Sequence, residues 1–98
     1  MIIVLAKIVA KEGMKNNIIK ESKELIRKTR KEKGCVEYNL YDQLDEDNSL
    51  LFVEKWENKD CLTSHLNQVH FTKFGEAIED YLAKELEISV YSSEPTNL

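Results

Sequence analysis

The opening segment, Ile2 to Ala10, most constrains what this chain can fold into. It is rich in β-branched residues and almost free of charge. Ile2, Val4, Ala6 and Ile8 share one face of a strand, and Ile3, Leu5 and Val9 share the other. Successive side chains of a strand point to opposite sides, so a strand apolar on both sides is covered on both. A chain of 98 residues reads as one domain, 1–98, with helices enough for only one side of a sheet. The second side needs another cover.

The rest of the chain alternates between two periods. Lys11-Glu12-Gly13 breaks the first strand. From Met14 a helical stripe runs through Ile18, Ile19, Ser22, Leu25, Ile26 and Thr29, with Gly34 as the expected C-terminal stop. The basic cluster Arg27, Lys28, Arg30, Lys31 and Lys33 is interleaved with Glu21, Glu24 and Glu32, which reads as a solvated helix face rather than a phosphate site. Cys35 to Leu44 alternates again, with Val36, Tyr38 and Leu40 on one side; Asp45-Glu46-Asp47-Asn48 turns the chain, and Leu50 to Trp56 returns. That turn is not a calcium loop, because the positions that require Gly and Glu hold Leu50 and Trp56. Asn58 caps a short helix through Leu66. After a joint at Asn67-Gln68, a second helix spans Val69 to Leu82, followed by a strand from Glu85 to Ser92 and a tail, 93–98.

Strand, helix, strand, strand, helix, strand predicts an α+β chain: a ferredoxin-like antiparallel sheet with helices on one face. The bare face would carry Ile3, Leu5, Val9, Leu51, Val53 and Tyr41. An apolar patch of that size asks for a homodimer, sheet against sheet. The net charge of −4 gives no reason to expect nucleic acid. The longest apolar run, Met1 to Ala6, is too short to span a membrane and has no basic segment before it, so neither a membrane anchor nor a secretory signal is expected. Cys35 and Cys61 form no metal spacing and read as free thiols of a cytoplasmic protein.

The chemistry concentrates between Phe52 and Phe74, which hold the only tryptophan and both histidines. His65 and His70 are five residues apart across a helix joint and lack the i, i+4 spacing that points two rings at one ion, with Glu54 or Cys61 as conceivable third ligands. Cys61 and His65 are i, i+4, but a nucleophile in mid-helix has no oxyanion hole beside it. General acid–base chemistry fits better. Glu54 shares a sheet face with Phe52 and Trp56, and His65 and His70 point back from the helices. A carboxylate and an imidazole in an aromatic pocket can transfer protons, with both pKa values open to tuning by burial. Equally, Glu54 could satisfy a buried group, with Trp56 and Phe74 simply part of the core.

The string Val53-Glu54-Lys55-Trp56-Glu57-Asn58-Lys59-Asp60, followed by Leu62, His65-Leu66, Val69-His70 and Phe74, resembles the antibiotic biosynthesis monooxygenase family, especially its quinol monooxygenase branch. The Gly13 break and the Gly34-Cys35-x-x-Tyr38 segment fit as well. The resemblance implies a dimeric α/β barrel with a pocket between sheet and helices in each protomer. It also implies oxidation of a small aromatic phenol or quinol by dioxygen, with no metal and no cofactor. In this reading His65, Glu54 and Trp56 stand at the reacting centre, and Tyr38, Phe52, His70 and Phe74 bind substrate. Haem-degrading relatives use an Asn, a Trp and a His where this chain has Ala6, His65 and Gly75, which disfavours haem. The quinone-forming members place an Asn and a Tyr where Phe52 and Leu62 stand, which leaves His65, His70 or Glu54 as the base. An isomerase or small-carbonyl signal-processing enzyme, and a non-catalytic ligand-binding stress protein, are the other readings of the same scaffold.

Overall fold

The computed structural model describes residues Met1–Leu98. In chain order the elements are β1 (Ile2–Val9), α1 (Lys15–Thr29), β2 (Cys35–Asp42), β3 (Ser49–Trp56), α2 (Lys59–Leu66), α3 (Val69–Ile78), a 3₁₀ turn (Glu79–Tyr81) and β4 (Glu87–Ser92). The four strands pair antiparallel in the order β2-β3-β1-β4. This is the ferredoxin-like α+β fold that the element order predicts.

The strand faces sort as the alternation requires. Val4, Ala6 and Ile8 of β1 and Leu50, Phe52, Glu54 and Trp56 of β3 are buried toward the helices. Ala6 lies opposite Phe52, and Val4 opposite Glu54. On the far side of the sheet Ile3, Leu5, Val9, Leu51 and Val53 are only partly covered, and Tyr41 is exposed. β4 lies beyond the reach of the helices, so all six of its residues remain exposed.

Three local expectations change. Val36 does not share a face with Tyr38: the β2–β3 register shifts between Cys35 and Glu37, leaving Val36 as the extra residue of a bulge, turned outward. β2 ends at Asp42 rather than Leu44, because Gln43 N–H already turns to the Ser49 carbonyl and leaves Leu44 in solvent. The third helix stops at Ile78 and tightens into the 3₁₀ turn instead of continuing to Leu82, whose backbone is already extended.

The largest correction is at the end of α1, which stops at Thr29, well before Gly34. Lys31 and Glu32 N–H groups bond three residues back, to Lys28 and Thr29. Arg30, the C-cap, keeps a helical backbone with its N–H on the Ile26 carbonyl, and its side chain donates from Nε to the Tyr38 carbonyl (3.1 Å) and from Nη2 to Asn39 Oδ1 (2.8 Å). Glu32 therefore sits on a turn, not on a helix face, and points inward.

Gly34 closes this turn with φ +81°, a left-handed backbone that L side chains resist. A Cβ here would collide with Cys61 Sγ and stand 2.7 Å from Cys61 Cβ. Gly34→Ala is expected to lower stability by about 2 kcal/mol, roughly half from the backbone and half from displacing α2. Urea unfolding checks this, and adding Cys61→Ala should return part of the loss.

Candidate active site

Between the sheet and the helices lies a cavity of about 140 Å³. Val4, Ala6 and Ile8 form its floor with Phe52, Glu54 and Tyr38; Leu62, His65, Phe71 and Phe74 form its roof. Ile88 and Val90 of β4 form its side and are 53% and 52% exposed, so the cavity opens toward the edge strand that no helix covers. Thirteen of the sixteen lining residues are hydrophobic, so the few polar atoms decide what chemistry is possible.

Glu54 is one of them. Its carboxyl group is nearly buried and receives a hydrogen bond from Trp56 Nε1–H at 2.9 Å. Burial pushes its pKa up to about 7, with a smaller push from the Glu32 charge and a partial offset from the Trp56 bond. The Tyr38 hydroxyl is held well above its ordinary pKa, chiefly by burial and then by Glu54, so it remains protonated.

His65 is the other. Its ring is 1% exposed and packs against Trp56, Phe71 and Tyr38, with ring centroids 4.8, 5.0 and 5.4 Å away. Its Nδ1 stands 2.8 Å from Glu32 Oε2. An ionised carboxylate only accepts hydrogen bonds, so the network assigns the proton of neutral His65 to Nδ1. The lone pair is then on Nε2, which is buried without a partner. Burial holds the His65 pKa below the usual imidazole range, with Glu32 opposing. The imidazole is neutral at pH 7 and free to accept a proton at Nε2.

Glu32 holds the second histidine too, with His70 Nε2 2.7 Å from the same Oε2. Gln68 is extended between α2 and α3 (φ −77°, ψ 145°), and this break redirects α3 so that the His65 and His70 ring centroids come within 6.3 Å. The two histidines, five residues apart across the joint, therefore do converge, meeting at one oxygen. The third group is Glu32, not Glu54 or Cys61. Together the three offer ligand atoms within 4.8 Å of one another, a donor set that could hold a transition-metal ion.

Of the residues singled out in the sequence, Glu54, His65, Tyr38, Phe52 and Phe74 line the cavity. Trp56 lies behind it, fully buried, bracing Glu54 and packing on His65. His70 is turned away from the cavity toward Glu32. Glu32 is the residue that sequence reasoning missed. One signal was available: no apolar residue continues the α1 stripe after Thr29, so nothing fastens residues 31–33 to a helical course.

The sequence model of the antibiotic biosynthesis monooxygenases matches residues 1–77. The chain belongs to this family. An uncharacterized Synechocystis protein, sll1783, is 39% identical over 90 residues, which cover 92% of this chain and 61% of that protein. This family member thus spans about three-fifths of that relative's length. A conserved protein from Methanosarcina mazei Go1 superimposes with a TM-score of 0.90 at 31% identity, covering 95% of this chain and 92% of the other. A crystal structure of an antibiotic biosynthesis monooxygenase superimposes with a TM-score of 0.89 at 24% identity, covering 97% of this chain and 100% of the other; at that identity it speaks for the fold alone. No helix of this family member is long and apolar enough to cross a membrane.

Proposed function

We propose that the chain oxidises a small aromatic phenol or quinol with dioxygen, using its own side chains for the proton transfers and no flavin or metal. Family membership supports a monooxygenase-type function. The observation that carries the finer reading is His65 Nε2: a buried, unpartnered lone pair on a ring that lines an apolar cavity, with Nδ1 fixed by Glu32. A buried polar atom without a partner costs roughly 1–3 kcal/mol. A phenolic O–H seated beside it supplies the missing donor.

In this reading the aromatic ring lies among Phe52, Phe71 and Phe74. His65 Nε2 takes the phenolic proton, and Glu32 balances the imidazolium that forms. The electron-rich phenolate then reduces dioxygen directly. For a phenol with a free para C–H, one oxygen atom becomes the second carbonyl of a quinone and the other leaves as water, and the substrate supplies all four electrons. Glu54, poised near neutrality, donates a proton to the departing oxygen. The narrow cavity holds both reactants together and keeps water away. Its lining contains no Lys or Arg of the kind that grips a cofactor phosphate.

The reading includes a cytoplasmic homodimer joined through the bare sheet face. Ile3, Leu5, Leu51 and Val53 are only partly covered there, and Tyr91 is exposed beside them. Burying several hundred Å² per protomer at roughly 25 cal/mol per Å² would contribute several kcal/mol before the entropic cost of association.

The test is oxygen consumption by metal-stripped protein with a panel of phenols and reduced quinols, aerobically and anaerobically. Oxygen uptake above the autoxidation background, with quinone formed, is the expected result. Product without oxygen would instead indicate an isomerase-type enzyme, and saturable binding without turnover a ligand-binding protein.

A further inference from the structure

We propose that Glu32, His65 Nδ1 and His70 Nε2 form a regulatory site for a borderline-soft divalent cation of the zinc class, set behind the cavity rather than in it. The three ligands come from the turn after α1, from α2 and from the start of α3, and their ligating atoms lie within 4.8 Å of one another. Two imidazoles and one carboxylate form a common ligand set for such an ion, at bond lengths of about 2.0–2.2 Å. Around a tetrahedral ion, ligand atoms stand roughly 3.4 Å apart. The 2.7 and 2.8 Å separations between Glu32 and the two nitrogens would therefore open by roughly 0.6–0.7 Å.

Two further observations favour a cation. Glu32 is a largely buried carboxylate, with an 11% exposed side chain, whose ion-pair partners are these two histidines and no Lys or Arg. Buried charges are paired or coordinate metals, and no Lys or Arg supplies a counter-charge here. Glu32 also borders a surface cleft with Glu57, Asp60, Cys61 and Ser64, where carboxylates outnumber the single cation, Lys33. This cleft gives a cation an attractive approach and leaves the solvent side of the ion open to water.

The consequence reaches the cavity through His65. Coordination at Nδ1 expels the proton from that nitrogen, so the neutral ring carries it on Nε2. Nε2, the unpartnered atom of a ring that lines the cavity, changes from a proton acceptor to a donor. A bound cation therefore switches off the base. The binding does not depend on the oxidation proposed above; the switching rests on it.

Calorimetric titration of the metal-stripped protein with Zn²⁺ at pH 7 is expected to show one ion per chain. His70→Gln and Glu32→Gln should each weaken binding about a hundredfold or more, while Asp60→Asn should leave it nearly intact. Imidazole ¹⁵N spectra should show His65 Nε2 changing from unprotonated to protonated on saturation, and oxygen uptake should fall in parallel. Thermal unfolding of each variant confirms that it remains folded, and the wild-type ¹⁵N readout needs no variant. Absence of stoichiometric binding, or equal binding in wild type and both Gln variants, would overturn the site. An unprotonated Nε2 in the Zn²⁺-saturated protein would overturn the switch. If no phenol is oxidised, the calorimetry and the ¹⁵N spectra still decide the site, so the two proposals fail separately.

Discussion

His65→Gln is expected to reduce oxygen-consuming turnover by about 10²- to 10⁴-fold, the usual worth of a positioned general base, with a much smaller change in KM. The side-chain amide of Gln can still donate to Glu32 and occupy the space above Trp56, so the local fold has a polar partner where His65 Nδ1 now stands. What Gln lacks is a basic lone pair directed at the substrate. The proton must then go to water, which the apolar lining keeps away, or remain on the phenol, whose neutral form gives up electrons far less readily. Single-turnover kinetics with the most active phenol separate this from a binding defect. A kcat within about threefold of wild type would remove His65 from the chemistry and leave its unpartnered Nε2 as a packing feature. Glu32→Gln is the informative companion. It keeps a hydrogen-bond acceptor at Nδ1 but deletes the charge that balances the imidazolium, so its activity should fall between the two.

The fold is legible in the sequence because strand and helix periods alternate along the chain and β3 declares its inward face. Of the residues assigned inward on β1 and β3, Val4, Ala6, Ile8, Phe52, Glu54 and Trp56 are buried and Ile2 is only partly so. The cavity is legible for the same reason: Glu54 is the one charged residue on an otherwise apolar inward face, opposite Val4 and Tyr38. What the sequence hid was set by backbone irregularity rather than by periodicity. The bulge at Val36, the early end of α1 and the extended Gln68 each redirect side chains that a regular pattern would place elsewhere. Glu32 is invisible to a helical wheel because it is not on the helix. His70 meets Glu32 instead of the cavity because α3 leaves the joint in a direction that no spacing encodes. The Glu32–His65–His70 cluster depends on the last two of these irregularities, so it could be seen only in three dimensions.

Glu54→Gln is expected to stabilise the protein at neutral and alkaline pH while lowering its activity. The carboxyl pKa is about 7 in the folded chain, where burial disfavours the charged form, against the ordinary value of 4.5. Between those values the folded state binds the proton more tightly than the unfolded state does, so stability falls as pH rises. The contribution is fully present below about pH 4.5, and most of it is gone once the pH has passed through 7. A shift of this size corresponds to about 3 kcal/mol, and Glu54 is 6% exposed, so little of it is lost to solvent screening. Gln removes the titration and keeps an oxygen to accept the Trp56 indole N–H. Urea unfolding of wild type and variant at pH 5 and pH 8 isolates the effect, because every other titrating group cancels between the two chains. The variant should gain on wild type by about 2–3 kcal/mol as pH rises across that interval. Parallel pH profiles would mean that Glu54 is already ionised and well solvated in the folded protein, and its part as a proton donor would fall with them. A stability gain joined to an activity loss would be the signature of a carboxyl group kept in the cavity for its chemistry, since a purely structural residue gives stability rather than taking it.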